Sequence, residues 1–310
     1  MPDPLSCPAC GSRVVDRSDR GEIKGEARCQ KCGAVFVPVP GDWNPYEAPV
    51  SSLKGQVEGA PFGASEIPAS VFGKFGLAFR LLGSNLGLFS LIILTVWLPA
   101  NLAIAFYDAN APEGTVIGVS TRINNLIQAV FGPISAGALI YAIAKRLRGE
   151  EVSYGEAMGV GFSNWGRLFV ANLIAGILIM LGFLLLVVPG IMLIVRYALI
   201  EPAVVLEGAW APRERSVELT AGRRWSILGA GLLFFTGSGA AGFVLGVVQE
   251  LVAWLDSTGV VVATDCLIDI GESLITIVMV LFYLEARQQE QARMSDPDDP
   301  GTKFLRMSEV

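Results

Sequence analysis

The sequence predicts an all-α membrane domain preceded by a small cysteine-rich β module, and three observations predict it. Of the 310 residues, 52% are hydrophobic and only 17% charged, against about 25% charged in soluble domains. Mean hydropathy is +0.53 over the whole length, although both ends are visibly polar, so the interior must hold runs more apolar than any soluble core helix. Four of the five cysteines lie upstream of Gly33 as two Cys-x-x-Cys pairs, which is metal-ligand spacing and not a spread disulfide framework.

The cysteine-rich module covers residues 1–38. Cys7-Pro8-Ala9-Cys10-Gly11 and Cys29-Gln30-Lys31-Cys32-Gly33 are close enough in sequence for short strands to bring them together as two zinc knuckles. The glycine after each pair lets backbone amides turn in toward the thiolates. Four thiolates from Cys7, Cys10, Cys29 and Cys32 close a tetrahedral shell around Zn(II) and leave no position for a substrate water, so the expected zinc is structural. Redox chemistry is the rival, but a thioredoxin-like motif needs a surrounding βαβ domain that so short a segment cannot supply. Ala34-Val35-Phe36-Val37 reads as a strand leaving the second pair. Six basic residues face five acidic ones in residues 1–37, and the tetrathiolate centre adds negative charge. That balance favours a cytosolic protein partner over nucleic acid.

Residues 39–70 carry Pro40, Pro45, Pro49, Pro61 and Pro68 among glycines and read as a disordered linker. Residues 71–287 are the expected transmembrane domain. Residues 288–310, with Asp296, Pro297, Asp298, Asp299 and Pro300, read as a disordered acidic tail. The polar stretch from Met1 to Pro40 holds no apolar core of a signal peptide, so the first span is expected to serve as the targeting signal.

About 20 apolar residues at 1.5 Å each cross the hydrocarbon core. Apolar runs at 86–107, 123–144, 226–248 and 262–284, with two more between Arg167 and Glu207, predict six spans. That paired region is interrupted only by Arg196 and Glu201, and Pro189-Gly190 in its middle is expected to mark a tight hairpin turn. Each pair of spans follows an interfacial segment: Phe72, Phe75, Phe79 and Leu82 at helical spacing, then residues 154–165, then residues 212–225. Ser84-Asn85-Leu86-Gly87 and Ser163-Asn164-Trp165-Gly166 hold the same place in the first two. The expected architecture is therefore six transmembrane helices as three interfacial-helix-plus-hairpin units, with a small N-terminal β zinc ribbon. Chance recurrence of small and aromatic residues at interfaces is the competing explanation.

If the spans alternate, Lys74, Arg80, Lys145, Arg146, Arg148, Arg167, Arg213, Arg215, Arg223, Arg224, Arg287 and Arg293 share one side and Arg122 lies on the other. Positive residues mark the cytoplasmic side, so both termini are expected there, in a reducing compartment that leaves thiolates free for metal.

Two stretches resemble known families. The CPACG and RCQKCGAVF segments resemble short prokaryotic zinc ribbons of the CPxCG...RCxxCGxxF pattern. Val188–Arg196, Glu201–Gly208 and Arg215–Trp225 resemble a group of bacterial six-helix membrane proteins in which LPG...R, PxxVLEG and R-S-x-x-L-T-x-G-R follow in that order. The group includes the membrane domain of some glycerophosphodiester phosphodiesterases and the YciC-like envelope proteins. The resemblance implies a multi-pass module of the bacterial inner membrane. The phosphodiesterase chemistry does not carry over, because that catalytic domain is a separate histidine-using barrel and this chain has no histidine.

Absence of histidine also excludes an imidazole base or the usual triad, and no phosphate loop or activated nucleophile stands out, so no enzyme is expected. Arg196 lies about 9 Å from the Pro-Gly turn, in the outer half of the bilayer, where an unpaired guanidinium is costly. Asp265, Asp269 and Glu272 form one stripe of the sixth span, and Glu272 is expected to lie at a similar depth to Arg196 and to interact with it directly or through water. Cys266 reads as an inert packing residue. The leading expectation is a non-enzymatic membrane scaffold or envelope-associated protein whose ribbon docks a cytosolic partner. The rival is a permease-like protein using Arg196, Asp269 and Glu272. A cavity lined by those charges favours the rival, and a sealed bundle favours the scaffold.

Overall fold

Inside hydrocarbon every backbone amide must find its partner within its own segment, so long apolar runs fold as helices. A computed structural model describes residues 27–28, 35–36, 67–110, 116–251 and 257–295. The chain divides into two units, residues 1–50 and 51–310. In the first, β1 (Ala27–Arg28) pairs antiparallel with β2 (Val35–Phe36), Ala27 opposite Phe36 and Arg28 opposite Val35. The second strand falls inside the expected 34–37 segment. Cys7, Cys10, Cys29 and Cys32, the linker before residue 67 and the tail after residue 295 lie outside the described residues.

The second unit is helical: α1 (Val71–Ser84), α2 (Leu86–Asn110), α3 (Val116–Leu147), α4 (Tyr154–Leu185), α5 (Val187–Tyr197), α6 (Ile200–Glu207), α7 (Pro212–Thr220), α8 (Arg224–Leu251) and α9 (Thr258–Ser295). Six stretches are long and apolar enough to cross a membrane: α2, α4, residues 119–147 of α3, residues 187–207 across α5 and α6, residues 224–248 of α8 and residues 258–293 of α9. The chain is a multi-pass membrane protein, and each expected span coincides with one of these.

The helix before the first span starts at Ser70, whose side chain accepts a hydrogen bond from the Gly73 amide. Its buried stripe is Lys74, Ala78 and Leu82, while Phe72 and Phe79 are exposed. Lys74 is fully enclosed and fully partnered, with the Pro68 and Ala69 carbonyls at 2.7 and 3.1 Å, Glu285 at 3.1 Å and the Phe282 ring 4.6 Å away. A charged residue thus anchors α1 to α9 at Phe282 and Glu285, and Phe72 and Phe79 lie on the exposed face of α1.

The three-unit pattern holds in part. Separate helices α1 and α7 precede the first and third hairpins, but the second hairpin begins with the unbroken α4. The two Ser-Asn pairs nevertheless bond alike. Ser84 and Asn85 both donate to the Leu81 carbonyl, and Ser163 and Asn164 both donate to Val160. Helix breaks after the first pair and continues through the second.

The hairpin turn is at Leu186, an extended residue (φ −165°, ψ 155°), and not at Pro189-Gly190. Pro189 sits in the first turn of α5, where its missing N–H removes no helical bond. Gly190 lets α5 close on α4: a Cβ there would lie 2.5 Å from the Phe183 ring. The fourth span is broken between α5 and α6, and Ser216 of α7 bridges the break, donating to the Arg196 carbonyl (2.7 Å) and accepting from the Leu199 amide (3.2 Å).

Residues 288–295, expected to be disordered, continue α9. Charge pairing holds them. Arg215 and Arg287 each bond both Glu207 and Glu290, at 2.6 to 2.9 Å, which ties α6, α7 and α9 together. Hydrogen bonds to Glu290 hold the Arg215 guanidinium above its ordinary pKa; burial opposes this and Glu207 adds to it.

Candidate functional site

Polar side chains in apolar spans are costly unless they pair or line a cavity. Here they converge on a cavity of about 510 Å³ between α2, α3, α4, α6, α8 and α9. The long α9 supplies Asp269, Glu272, Ser273 and Thr276, α3 supplies Gln128 and Ser135, α4 supplies Asn172 and α6 supplies Glu201. Trp97, Phe234 and Phe235 complete the wall. Glu272 and Gln128 are exposed, Asp269 and Glu201 half-buried, so the cavity opens from the bundle.

Two amides orient two of the carboxylates. Asn172 Nδ2 donates to Glu201 Oε1 at 2.8 Å, and Asn101 Nδ2, from α2, donates to Asp269 Oδ2 at 2.8 Å. Ser135 and Ser273 turn their hydroxyl protons back to the Gly132 and Ile270 carbonyls, leaving only oxygen lone pairs for the cavity. Among the described residues the wall contains three carboxylates and no lysine or arginine. The lining is therefore acidic, with no cationic side chain beside the three carboxylates among the described residues. No three Cys, Asp or Glu side chains among the described residues converge tightly enough to hold a metal ion.

Of the expected site residues, Asp269 and Glu272 line this cavity and Arg196 does not. Arg196 is about 15 Å from the true turn at Leu186, farther from the hairpin end than expected. It lies on α5 beside α7, and no ion pair joins it to Glu272 among the described residues. A direct Arg196–Glu272 pair is therefore not formed. The turn falls earlier in the chain than Pro189-Gly190, which moves Arg196 along its span relative to the expected position. Cys266 is buried, as expected, 3.8 Å from Asn101 Nδ2.

Sequence reasoning missed Glu201, Asn101, Asn172 and Gln128 as site residues. Their signal was available: uncompensated polar groups within otherwise apolar runs. The residues that carried the family resemblance have mainly structural tasks. Gly208 ends α6 with φ +62°, Glu207 and Arg215 belong to the ion-pair ring, Ser216 bridges the span break, and Arg223 donates to the Leu219 carbonyl and to Gln289. No protein-family model, curated protein or solved structure matches the chain.

Proposed function

We propose that this is a non-enzymatic, permease-like protein of the bacterial inner membrane, with both termini cytoplasmic, whose acidic cavity takes a small organic cation. The observation that carries the reading is the cavity with Glu201, Asp269 and Glu272 on its wall and no cationic side chain among the described lining residues. Trp97, Phe234 and Phe235 line the same cavity, and aromatic rings are a usual partner of an ammonium group. The test is uptake of radiolabelled choline and tetramethylammonium by proteoliposomes containing the full chain. Uptake by the wild type and its loss in Glu201→Gln/Asp269→Asn/Glu272→Gln support the reading. Equal uptake in the neutralised variant, or uptake no greater than in empty vesicles, contradicts it.

The four N-terminal cysteines favour a second reading, a membrane scaffold that docks a cytosolic protein through a structural zinc ribbon. In it Cys7, Cys10, Cys29 and Cys32 hold one Zn(II), and β1 and β2 flank the segment that contains Cys29 and Cys32. Copurification from membranes of the intact chain and of a chain lacking residues 1–38 distinguishes the two. A stoichiometric protein partner lost with the ribbon favours the scaffold.

A further inference from the structure

A second cavity, of about 470 Å³, lies away from the acidic one, between α4, α6 and the start of α7. Its floor is apolar: Val170 and Ile174 from α4 and Val204 from α6. Its mouth carries Arg167, Arg213, Trp210 and Glu214. Arg167 donates to the Gly208 and Ala209 carbonyls, at 2.7 and 3.1 Å, so its position is fixed while its charge meets no carboxylate among the described residues. Arg213 is exposed and makes no ion pair among them either. Two guanidiniums without an ion pair among the described residues thus share the mouth with one carboxylate, Glu214, over an apolar floor.

The floor does not end at the cavity. Val170, Leu173, Ile174, Ile177 and Leu181 are all exposed and follow one face of α4 into the span. Trp210, 74% exposed, sits beside the arginines, where an amphipathic ring marks the headgroup level. Headgroup charge, interfacial ring and acyl track occur in the order in which a phospholipid presents its own parts. We propose that this cavity is a binding site for one anionic phospholipid of the leaflet at the arginine-rich end, its phosphate between Arg167 and Arg213 and one acyl chain along the Val170–Leu181 face. Glu214 at the mouth opposes the headgroup charge and tunes the affinity downward.

The experiment is competition for the purified full chain in neutral detergent, read by native mass spectrometry, with phosphatidylglycerol, phosphatidylcholine and glycerol 3-phosphate as probes. The wild type is expected to retain one phosphatidylglycerol at least tenfold more strongly than phosphatidylcholine, and glycerol 3-phosphate is expected not to displace it. Arg213→Gln should weaken retention about fivefold, the effect of one basic residue at an anionic surface, and Glu214→Gln should strengthen it. The unfolding temperature of each variant separates this from misfolding, since neither side chain makes an ion pair among the described residues. Equal retention of the two lipids, or no change in Arg213→Gln with folding intact, overturns the proposal. Displacement by glycerol 3-phosphate at comparable concentration would make it a free-phosphate site and equally overturn the lipid assignment.

Discussion

Replacing Gly161 by alanine tests the close packing of α3 on α4, two of the helices that wall the acidic cavity. A Cβ at Gly161 of α4 would lie 2.4 Å from the Ile134 carbonyl oxygen of α3, and 3.1 Å from both the Ala138 Cβ and amide nitrogen. A relaxed carbon–oxygen contact needs about 3.3 Å, so the two helices must separate by about 1 Å. The neighbouring Gly137 shows the same closeness, with Gly161 Cα 3.3 Å from its own would-be Cβ. Overpacking of this kind costs about 1 to 3 kcal/mol, and an atom of the backbone cannot rotate aside, which places the cost near the upper limit. Alanine regains about 1 kcal/mol in helix propensity, leaving a net loss of about 2 kcal/mol. Gly159→Ala is the control, because nothing lies within 4 Å of its Cβ; it should be neutral or stabilising by up to about 1 kcal/mol. Reversible unfolding in mixed micelles reads the difference. If Gly161→Ala proves as stable as Gly159→Ala, the close contact of α3 and α4 is wrong.

Lys74→Met should destabilise by about 3 to 5 kcal/mol, since it strands Glu285 and two carbonyls, and Lys74→Met/Glu285→Gln should recover part of that loss; additive losses in the same unfolding assay would count against the pair. The intact chain should contain one zinc per molecule, and Cys29→Ser should lower this by elemental analysis; wild-type protein without zinc refutes the ribbon. A Thr115→Cys variant should react with a membrane-impermeant maleimide from outside the cell, and labelling only from the cytoplasmic side would reverse the topology.

The spans were legible because apolar length is written locally, in runs free of charge such as residues 86–107. Contacts between spans were not. Lys74 looked like a flanking cytoplasmic charge, yet its stem and ammonium fill the buried face of α1, because Glu285 arrives from the far end of the helical unit. Gln288–Ser295 looked like the start of a tail, since nothing nearby in sequence shows that Arg215 and Arg223 will meet that segment. Asp269 and Glu272 were legible as one stripe from their spacing, but the neighbours that make them a site, Asn101, Asn172 and Glu201, come from three other helices. Periodicity gives faces; it does not say which faces meet.

The most direct test of the acidic cavity is the unfolding temperature of the purified full chain titrated with tetramethylammonium chloride, with sodium chloride at matched ionic strength as reference. A ligand that binds only the folded state stabilises it by about 1.4 kcal/mol at ten times its Kd. The wild type should therefore gain stability with tetramethylammonium beyond the sodium reference, and Glu201→Gln/Asp269→Asn/Glu272→Gln should not. An identical response of wild type and variant, or of the two salts, would contradict the assignment of this cavity to an organic cation.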